Sequence, residues 1–208
     1  MSVDRSRLHI ALQRSGRLSD ASKELLRDAG LRIESGKNSL TARAGNFPAD
    51  LMFVRDDDIP TFVSDGACEF GIVGQNVLEE FALGQSQPGF ERLAELGFGR
   101  CSLKIAAPER LSYESAQTLA GERIATSYPR LLGRFLAERG IEAEVVEMSG
   151  AVELAPRLEI ANYICDLVST GATLEANGLR AVETVLESRA VLIRTSKPLD
   201  RERATIAA

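Results

Sequence analysis

The stretch IALQRSGRLSDASKELLRDAGL, residues 10–31, sets the plan that the chain repeats. A short β-prone run, 8–13, ends in a polar turn. A segment with apolar residues at helical spacing, 18–30, follows the turn, and Gly30 stands where a helix C-cap is expected. The stretch therefore predicts a strand, a turn and a helix in succession, which is the repeating unit of an α/β fold.

Two pairs of similar stretches indicate that this plan occurs twice. IATSYPRLLGRFLAERGI, residues 124–141, repeats the plan of 10–31 with a shorter turn. CEFGIVG at 68–74 and CDLVSTG at 165–171 each place an acid five residues before a glycine, and a Leu-Glu pair follows in both. Because the two pairs occur in the same order, they predict two similar α/β lobes.

Strand-like and helix-like segments alternate over most of the chain, which predicts an α/β fold with mainly parallel sheets. We expect lobe I to comprise residues 1–100 and 181–208, and lobe II residues 101–180. Ligands of open α/β sheets bind at the carboxyl ends of the strands, so two facing lobes predict a cleft between them. The expected strands are 8–13, 50–55, 70–74, 102–108, 123–128, 143–148, 163–168 and 190–195.

Composition excludes several classes of protein. The 208 residues are 44% hydrophobic and carry a formal net charge of −5, which suits one large or two small domains with a real core. No apolar run approaches the length of about 18 residues needed to span a membrane, and the first ten residues do not resemble a signal peptide. The acidic balance argues against general nucleic-acid binding. We therefore expect a cytoplasmic protein without membrane or nucleic-acid partners.

The residues available for chemistry are limited in kind. Cys68, Cys101 and Cys165 lie in apolar surroundings without a CxxC pair, which predicts buried reduced thiols and no structural zinc. His9, the single histidine, lies in the first expected strand and is interpreted as a packed residue. Walker, GxGxxG, GxSxG and HExxH motifs are absent from the sequence. Arginines, carboxylates, hydroxyls and backbone amides remain, a set that suits transfer reactions.

The turn after the strand at 163–168 carries the most distinctive polar pattern. In DLVSTGATLEANG, residues 166–178, Ser169, Thr170 and Thr173 place three hydroxyls around Gly171, directly before a helix-like segment. Free N–H groups and short hydroxyl donors at such a position suit a phosphate. The same residues would also serve as a plain helix cap, so both interpretations stay open on this stretch alone.

Three other polar turns follow expected strands. Arg17 stands at a helix start, where a cation opposes the helix dipole unless it meets an anion. Arg55 ends the strand at 50–55, before three acids that suit a helix cap. Glu153 lies where a strand meets a helix, close to Ser149 and Gly150. The alternatives are a solvated surface arginine for Arg17 and a capping arrangement for Glu153.

Taken together, ALQRSGRL, FVRDDDIPTFVSDGACEFGIVGQNVLEE, RIATSYPRLLGRFLAERGI, SGAVELAPRL and ICDLVSTGATLEANGL resemble the ATP phosphoribosyltransferase family, the first enzymes of histidine biosynthesis. The resemblance runs from about Leu8 to Ser196. It implies a two-lobed clamshell of the type II periplasmic-binding-protein-like kind. The implied reaction joins N1 of the adenine of ATP to C1′ of phosphoribosyl pyrophosphate (PRPP) and releases pyrophosphate.

The resemblance also implies roles for particular residues. Arg17 and Arg55 would be catalytic, because their charge would stabilise the departing pyrophosphate. Magnesium is expected on PRPP, bound mainly through substrate oxygens and waters. Only Asp166 of the acidic pair usual in PRPP loops is present, since Leu167 takes the second place, and Arg14 stands where many relatives have lysine. The implied PRPP-binding residues are Asp166, Ser169, Thr170, Gly171, Ala172, Thr173 and Glu153. The implied ATP-binding residues are Gln13, Ser15, Gly16, Arg17, Arg55 and Gly74.

The chain resembles the short form of the family, because it ends soon after the apolar run at 190–195. A short form implies a homo-oligomer that works with a regulatory subunit related to histidyl-tRNA synthetase. A truncated long form is the alternative. Two further hypotheses are a non-catalytic clamshell solute-binding protein and a phosphoribosyltransferase acting on a different base.

Overall fold

The computed structural model describes residues 6–34 and 40–207. The chain divides into two compact units, unit 1 at Met1–Gly99 and Arg189–Ala208 and unit 2 at Arg100–Ser188. Each unit is built on a sheet of its own. Within the described residues, no helix is long and apolar enough to cross a membrane.

Unit 1 is built on a sheet that has seven strands in the described part of the chain, in the order β2-β3-β4-β1-β5-β12-β6. The strands are β1 (Leu8–Gln13), β2 (Ile33–Glu34), β3 (Thr41–Ala44), β4 (Ala49–Val54), β5 (Phe70–Gly74), β6 (Phe90–Glu95) and β12 (Ala190–Thr195). The helices are α1 (Ser19–Asp28), α2 (Ile59–Ser64), α3 (Gln75–Leu83) and α6 (Arg201–Ala207), with a short 3-10 helix at Asp56–Asp58.

Unit 2 is built on a five-stranded sheet in the order β11-β7-β10-β8-β9. The strands are β7 (Cys101–Pro108), β8 (Arg123–Thr126), β9 (Glu144–Glu147), β10 (Tyr163–Val168) and β11 (Leu179–Ser188). The helices are α4 (Pro129–Glu138) and α5 (Ala172–Ala176), with 3-10 helices at Ala116–Leu119 and Val152–Leu154.

Only part of each sheet is parallel. Strand β1 runs parallel to β4 and β5 in the middle of its sheet, and β8 runs parallel to β10 and to the edge strand β9. The other pairings found among the described residues are antiparallel. The α/β class is thus confirmed, but the sheets are mixed and not mainly parallel, because the expected strands β7 and β12 pair antiparallel and because β2, β3, β6 and β11 were not expected. Short connections such as the one between β3 and β4 join antiparallel strands, whereas parallel strands need a crossover.

Strand β1 shows why the apolar runs form buried strands. Leu8, Ile10 and Leu12 pack in one cluster of unit 1, and Ala11 packs in another. Since successive side chains point to opposite faces, both faces of the strand are covered. His9 is buried as well, which confirms its interpretation as a packed residue. The three cysteines are free and buried, as expected.

The second boundary between the units lies later than the sequence suggested. We expected lobe II to end at residue 180, but β11 pairs with β7 from Leu179 to Ser188 and belongs to unit 2 over its whole length. The register of this pairing shifts twice, between Ala181 and Glu183 and between Thr184 and Leu186. Such bulges break the regular alternation of apolar and polar residues that makes a strand recognisable in a sequence.

Helix α6 is held to unit 1 by a buried ion pair. The Glu69 side chain is completely buried, and one carboxylate oxygen accepts a hydrogen bond from the backbone N–H of His9 at 2.6 Å. The other oxygen accepts a hydrogen bond from the guanidinium of Arg203, which also pairs with Asp200 at 2.9 Å. Ile206 packs against the apolar core of the unit. A buried carboxylate is costly unless it is paired, so Arg203 ties α6 to the sheet.

Replacing Arg203 by methionine is expected to lower the free energy of unfolding by roughly 3 kcal/mol, because Glu69 would keep a buried charge without its cation. Urea denaturation of the full chain measures this loss. The double variant Glu69→Gln/Arg203→Met should recover most of it, since a neutral amide still accepts the hydrogen bond from His9. Arg201→Met, on the same helix, is the matched control. A double variant as unstable as Arg203→Met would show that the buried charge is not the cause.

Candidate functional site

Unit 1 gathers several predicted site residues at one edge of its sheet. Gln13 ends β1, Gly74 ends β5, and Arg55 directly follows β4. Because these three strands are parallel neighbours, their carboxyl ends meet at the same edge. Gln13 lies opposite Val54 in register, and the N–H of Arg14 donates to the Val54 carbonyl at 2.8 Å. The edge therefore brings together residues that are far apart in the sequence.

The turn after β1 is organised by Gln13 and Gly16. The Gln13 side-chain oxygen accepts a hydrogen bond from the backbone N–H of Leu18 at 2.8 Å, so it is used inside the turn. Gly16 has a φ of 110°, and a Cβ there would come within 2.9 Å of the Gln13 amide nitrogen. Glycine is required here for both its backbone conformation and its lack of a side chain. Ser15 lies exposed in the same turn.

Arg17 lies against the end of β5. Its guanidinium donates a hydrogen bond to the Gly99 carbonyl. A second guanidinium nitrogen, Nη2, lies 3.5 Å from the position that a Cβ on Gly74 would occupy. The hydrogen bond to Gly99 orients the side chain. Arg17 and Gly74 are thus neighbours at the sheet edge where Gln13 ends β1.

Arg55 is held more loosely. Its side chain is 80% exposed, and its guanidinium lies 3.8 Å from a carboxylate oxygen of Asp57. An exposed ion pair of this kind contributes little free energy, so Arg55 can turn toward an anionic ligand at small cost. Asp58 occupies the N-cap position of α2 but makes no side-chain capping hydrogen bond within the described residues. The expected capping by these acids is therefore not seen at Asp58.

Unit 2 contains a cavity at the carboxyl end of β10. Its volume is about 340 Å³. It is bounded by the end of β10, by the loop that leads into α5, and by the 3-10 helix at Val152–Leu154. The lining residues are Glu153, Asp166, Leu167, Val168, Ser169, Thr170, Gly171, Thr173 and Leu174. Most of the predicted PRPP-binding residues are thus collected around one cavity.

The loop from Ser169 to Gly171, which we call the 169–171 loop, presents unused hydrogen-bond donors. Among the hydrogen bonds of the described residues, none uses the backbone N–H groups of Ser169, Thr170 or Gly171. Gly171 has a φ of 87° and occupies the N-cap position of α5, so the residue at this position has no side chain that could cap the helix. Ala172 is exposed, and its N–H lies a long 3.5 Å from the Thr170 hydroxyl.

Glu153 is positioned by an unusual backbone. Ala151 adopts a left-handed conformation with a φ of 51°, which is uncommon for a residue other than glycine. The 3-10 helix at Val152–Leu154 follows directly, and it buries Val152 while Glu153 lines the cavity. The N-cap position is taken by Ala151, which has no side-chain acceptor, so the expected capping by Ser149 or Gly150 is not formed. The strained turn instead serves to place a carboxylate.

Two carboxylates share the cavity, and the environment of Asp166 is unfavourable for its charge. Burial raises the pKa of Asp166, and the nearby charge of Glu153 raises it further. A hydrogen bond of 2.8 Å from the Leu167 N–H lowers the pKa of Asp166 and offsets part of this rise. Such a pair suits hydroxyl donors or a cation. Within residues 6–34 and 40–207 no group of three or more potential metal-binding side chains was found, so a cation here would also need oxygens from a ligand.

Comparison with known proteins identifies the family. The family model described as "HisG: ATP phosphoribosyltransferase" matches residues 55–208. The chain belongs to the ATP phosphoribosyltransferase family. An ATP phosphoribosyltransferase from Maricaulis maris (strain MCS10) is 56% identical over 190 residues, covering 91% of this chain and 65% of the relative. One from Stenotrophomonas maltophilia (strain R551-3) is 47% identical over 206 residues, covering 97% and 68%. The chain thus spans about two thirds of the length of these relatives.

Solved structures support the family's fold. The ATP phosphoribosyltransferase (HisG:HisZ) complex from Thermotoga maritima matches with a TM-score of 0.77 at 22% identity, covering 96% of this chain and 93% of that chain. The alkanesulfonate-binding protein SsuA from Xanthomonas axonopodis pv. citri matches with a TM-score of 0.59 at 15% identity, covering 98% and 68%. The expected fold class, shared with periplasmic-binding-protein-like proteins, is confirmed.

Some cavity residues were not among the predicted site residues. Leu167, Val168 and Leu174 line the cavity with apolar surface. Leu167 and Val168 belong to the apolar run of β10, and Leu174 is the buried residue of α5, so a sequence pattern assigns all three to the core. All three also pack with the hydrophobic clusters of unit 2, so they bound the cavity on the side of the core, which the pattern alone does not show.

Asp166→Asn is expected to raise the melting temperature at neutral pH. The folded pKa of Asp166 lies above its ordinary 3.8, so the folded protein binds more protons than the unfolded chain between these two values. The free energy of unfolding therefore falls as the pH rises through this window, and asparagine removes that loss. Thermal unfolding at a series of pH values from neutral downward measures the melting temperatures of Asp166→Asn and of the unmodified chain. The difference between them should shrink toward pH 3.8.

Glu153→Gln provides the matched comparison for this effect. It removes the charge that raises the pKa of Asp166 and should give a smaller gain in stability. Asp20→Asn, at a fully exposed carboxylate, should change little. An Asp166→Asn variant less stable than the unmodified chain at neutral pH would contradict the assignment of an unfavourable buried charge.

Proposed function

We propose that this chain is the catalytic subunit of an ATP phosphoribosyltransferase, which condenses ATP with PRPP in the first step of histidine biosynthesis. The observation that carries the proposal is the cavity of unit 2. It combines unused N–H groups and hydroxyls of the 169–171 loop with the carboxylates of Glu153 and Asp166. A ligand that suits both has a phosphate next to a sugar diol, and PRPP has both. Membership of the family supports the choice of reaction.

The two halves of PRPP fit the two kinds of group. The N–H groups and hydroxyls of Ser169, Thr170, Gly171 and Thr173, with the N–H of Ala172, donate to the 5-phosphate. Asp166 and Glu153 accept hydrogen bonds from the ribose hydroxyls, which relieves the repulsion between the carboxylates. The raised pKa of Asp166 is in this proposal a consequence of a site built for a hydroxyl-bearing ligand.

Magnesium is the cofactor proposed for this site. The two carboxylates are oxygen donors of the kind that magnesium prefers, but they supply only part of its ligands. Two carboxylates are too few to hold the ion alone, so Asp166 and Glu153 would contribute alongside oxygens of PRPP and water. When bound, magnesium neutralises charge on the pyrophosphate of PRPP and makes it a better leaving group.

The unit 1 edge supplies the groups proposed to bind ATP and the departing pyrophosphate. Gln13, Ser15 and Gly16 form the end of β1 and the turn after it, and Gly74 ends the neighbouring strand β5. Arg17 and Arg55 are the proposed catalytic residues there. The bond from N1 of adenine to C1′ forms as the bond from C1′ to the pyrophosphate oxygen breaks, and the arginines stabilise the negative charge that leaves. Neutral N1 needs no strong base, which agrees with a histidine that is buried in β1.

We further propose a cytoplasmic homo-oligomer that works with a regulatory subunit related to histidyl-tRNA synthetase. The Thermotoga structure with the similar fold is a HisG:HisZ complex, and that chain is covered to 93% by this one. The relatives from Maricaulis and Stenotrophomonas are longer than this chain, so a long form remains the alternative arrangement.

The deciding experiment is an ultraviolet absorbance assay for phosphoribosyl-ATP with ATP, PRPP, magnesium and pyrophosphatase. We expect product formation that requires ATP, PRPP and magnesium together. Adenine, nicotinate and orotate are expected to give no product when they replace ATP. The assay is run with and without a regulatory subunit of the HisZ type, and with histidine. Product formed with orotate or nicotinate, but not with ATP, would identify a different phosphoribosyltransferase.

A solute-binding protein is the second candidate, because the SsuA structure shares the fold. Calorimetry with PRPP and with alkanesulfonates separates the two hypotheses. Magnesium-dependent binding of PRPP followed by turnover supports the enzyme. Binding of a sulfonate, with no turnover of PRPP under any of the assay conditions, would favour the solute-binding protein.

Arg55→Ala is expected to lower kcat by about a hundredfold, because the departing pyrophosphate loses a cation that acts mainly in the transition state. The same absorbance assay at saturating ATP and PRPP measures kcat. Arg27→Ala, at an exposed arginine in the last turn of α1, is the control and should stay within about twofold of the unmodified chain. Undiminished turnover of Arg55→Ala would remove the leaving-group role from this residue.

A further inference from the structure

The proposed PRPP site in unit 2 has an unbalanced charge. The 169–171 loop supplies neutral donors, and the two titratable side chains that line the cavity, Glu153 and Asp166, are both acids. A phosphate held beside two carboxylates is repelled unless a cation lies close to it. None of the residues that line this cavity is basic. The missing positive charge must therefore come from outside the lining of this cavity.

A second cavity adjoins the same loop. Its volume is about 450 Å³, and it shares Val168, the 169–171 loop and Leu174 with the first cavity. The loop therefore lines both cavities. The remaining lining residues are Ser102, Lys104, Glu109, Glu175, Leu179, Arg180 and Ala181. Two of them, Lys104 and Arg180, are cations.

Lys104 is the cation whose position and bonding fit the requirement. It lies on β7 directly opposite Asp166 of β10, so the two side chains are on the same face of the sheet. Lys104 is half-buried, and its ammonium has no ion-pair or hydrogen-bond partner among the described residues. Arg180, by contrast, is exposed and donates to the Leu111 carbonyl at 2.9 Å.

We propose that Lys104 is a further phosphate-binding residue, which reaches the 5-phosphate of PRPP at the 169–171 loop from the second cavity. The proposal rests on the proposed function and adds to it the source of positive charge. The ammonium has no partner among the described residues, and a phosphate at the loop would supply one. The flexible four-carbon stem of lysine lets the charge follow the loop.

The test is the kinetics of Lys104→Met with PRPP and magnesium. Methionine keeps the length and apolar stem of the side chain and removes the charge. We expect the KM for PRPP to rise about tenfold or more, with kcat and the KM for ATP changed less than about threefold, because a charged hydrogen bond to the non-reacting phosphate is lost. Lys104→Arg should restore most of the affinity. The KM for PRPP should also depend less on salt in Lys104→Met than in the unmodified enzyme.

Arg180→Met is the matched control, because it removes a cation from the same cavity. We expect its KM for PRPP to stay within about twofold of the unmodified enzyme. An unchanged KM in Lys104→Met, or an equal rise in Arg180→Met, overturns the assignment to Lys104 while leaving the proposed function in place. An unmodified chain that neither binds nor turns over PRPP overturns the proposed function and this inference together.

Discussion

The site depends on one constraint, that neighbouring parallel strands end at the same edge of a sheet. In unit 1 the parallel strands are β4, β1 and β5, and in unit 2 they are β10, β8 and β9. Gln13, Arg55 and Gly74 lie at the three strand ends of unit 1. Glu153 follows β9, and the 169–171 loop follows β10. Of the strands that pair only antiparallel, β7 alone carries a proposed site residue among the described residues, Lys104 opposite Asp166.

The two units divide the proposed chemistry by charge. Unit 2 offers partly buried carboxylates and backbone N–H groups at one cavity, with Lys104 lining the second cavity at the same loop. Unit 1 offers the guanidinium group of Arg17 in the turn after β1 and that of Arg55 after β4. Carboxylates suit the hydroxyls of a sugar, and guanidinium groups suit phosphates.

The unit 2 site reduces the stability of the folded chain. The left-handed backbone of Ala151 is strained, and the ionised form of Asp166 is disfavoured by burial. Unit 1 shows the opposite treatment of a buried acid, since Glu69 is fully paired with His9 and Arg203. The paired carboxylate of Glu69 stabilises the fold, whereas the carboxylate of Asp166, which lies near Glu153, is available to the proposed ligand.

The sequence by itself determined the elements with strong apolar patterns and the identity of the family. The eight expected strands are all present, and Arg17, Arg55, Glu153 and the 169–171 loop lie in the predicted turns, because strand ends and helix starts are encoded locally. The tertiary structure decided which strands pair, that the sheets are mixed, and that β11 belongs to unit 2. It also placed Lys104 opposite Asp166 and Arg203 against Glu69. These pairs are distant along the chain, and only the register of the strands and the packing of α6 bring them together.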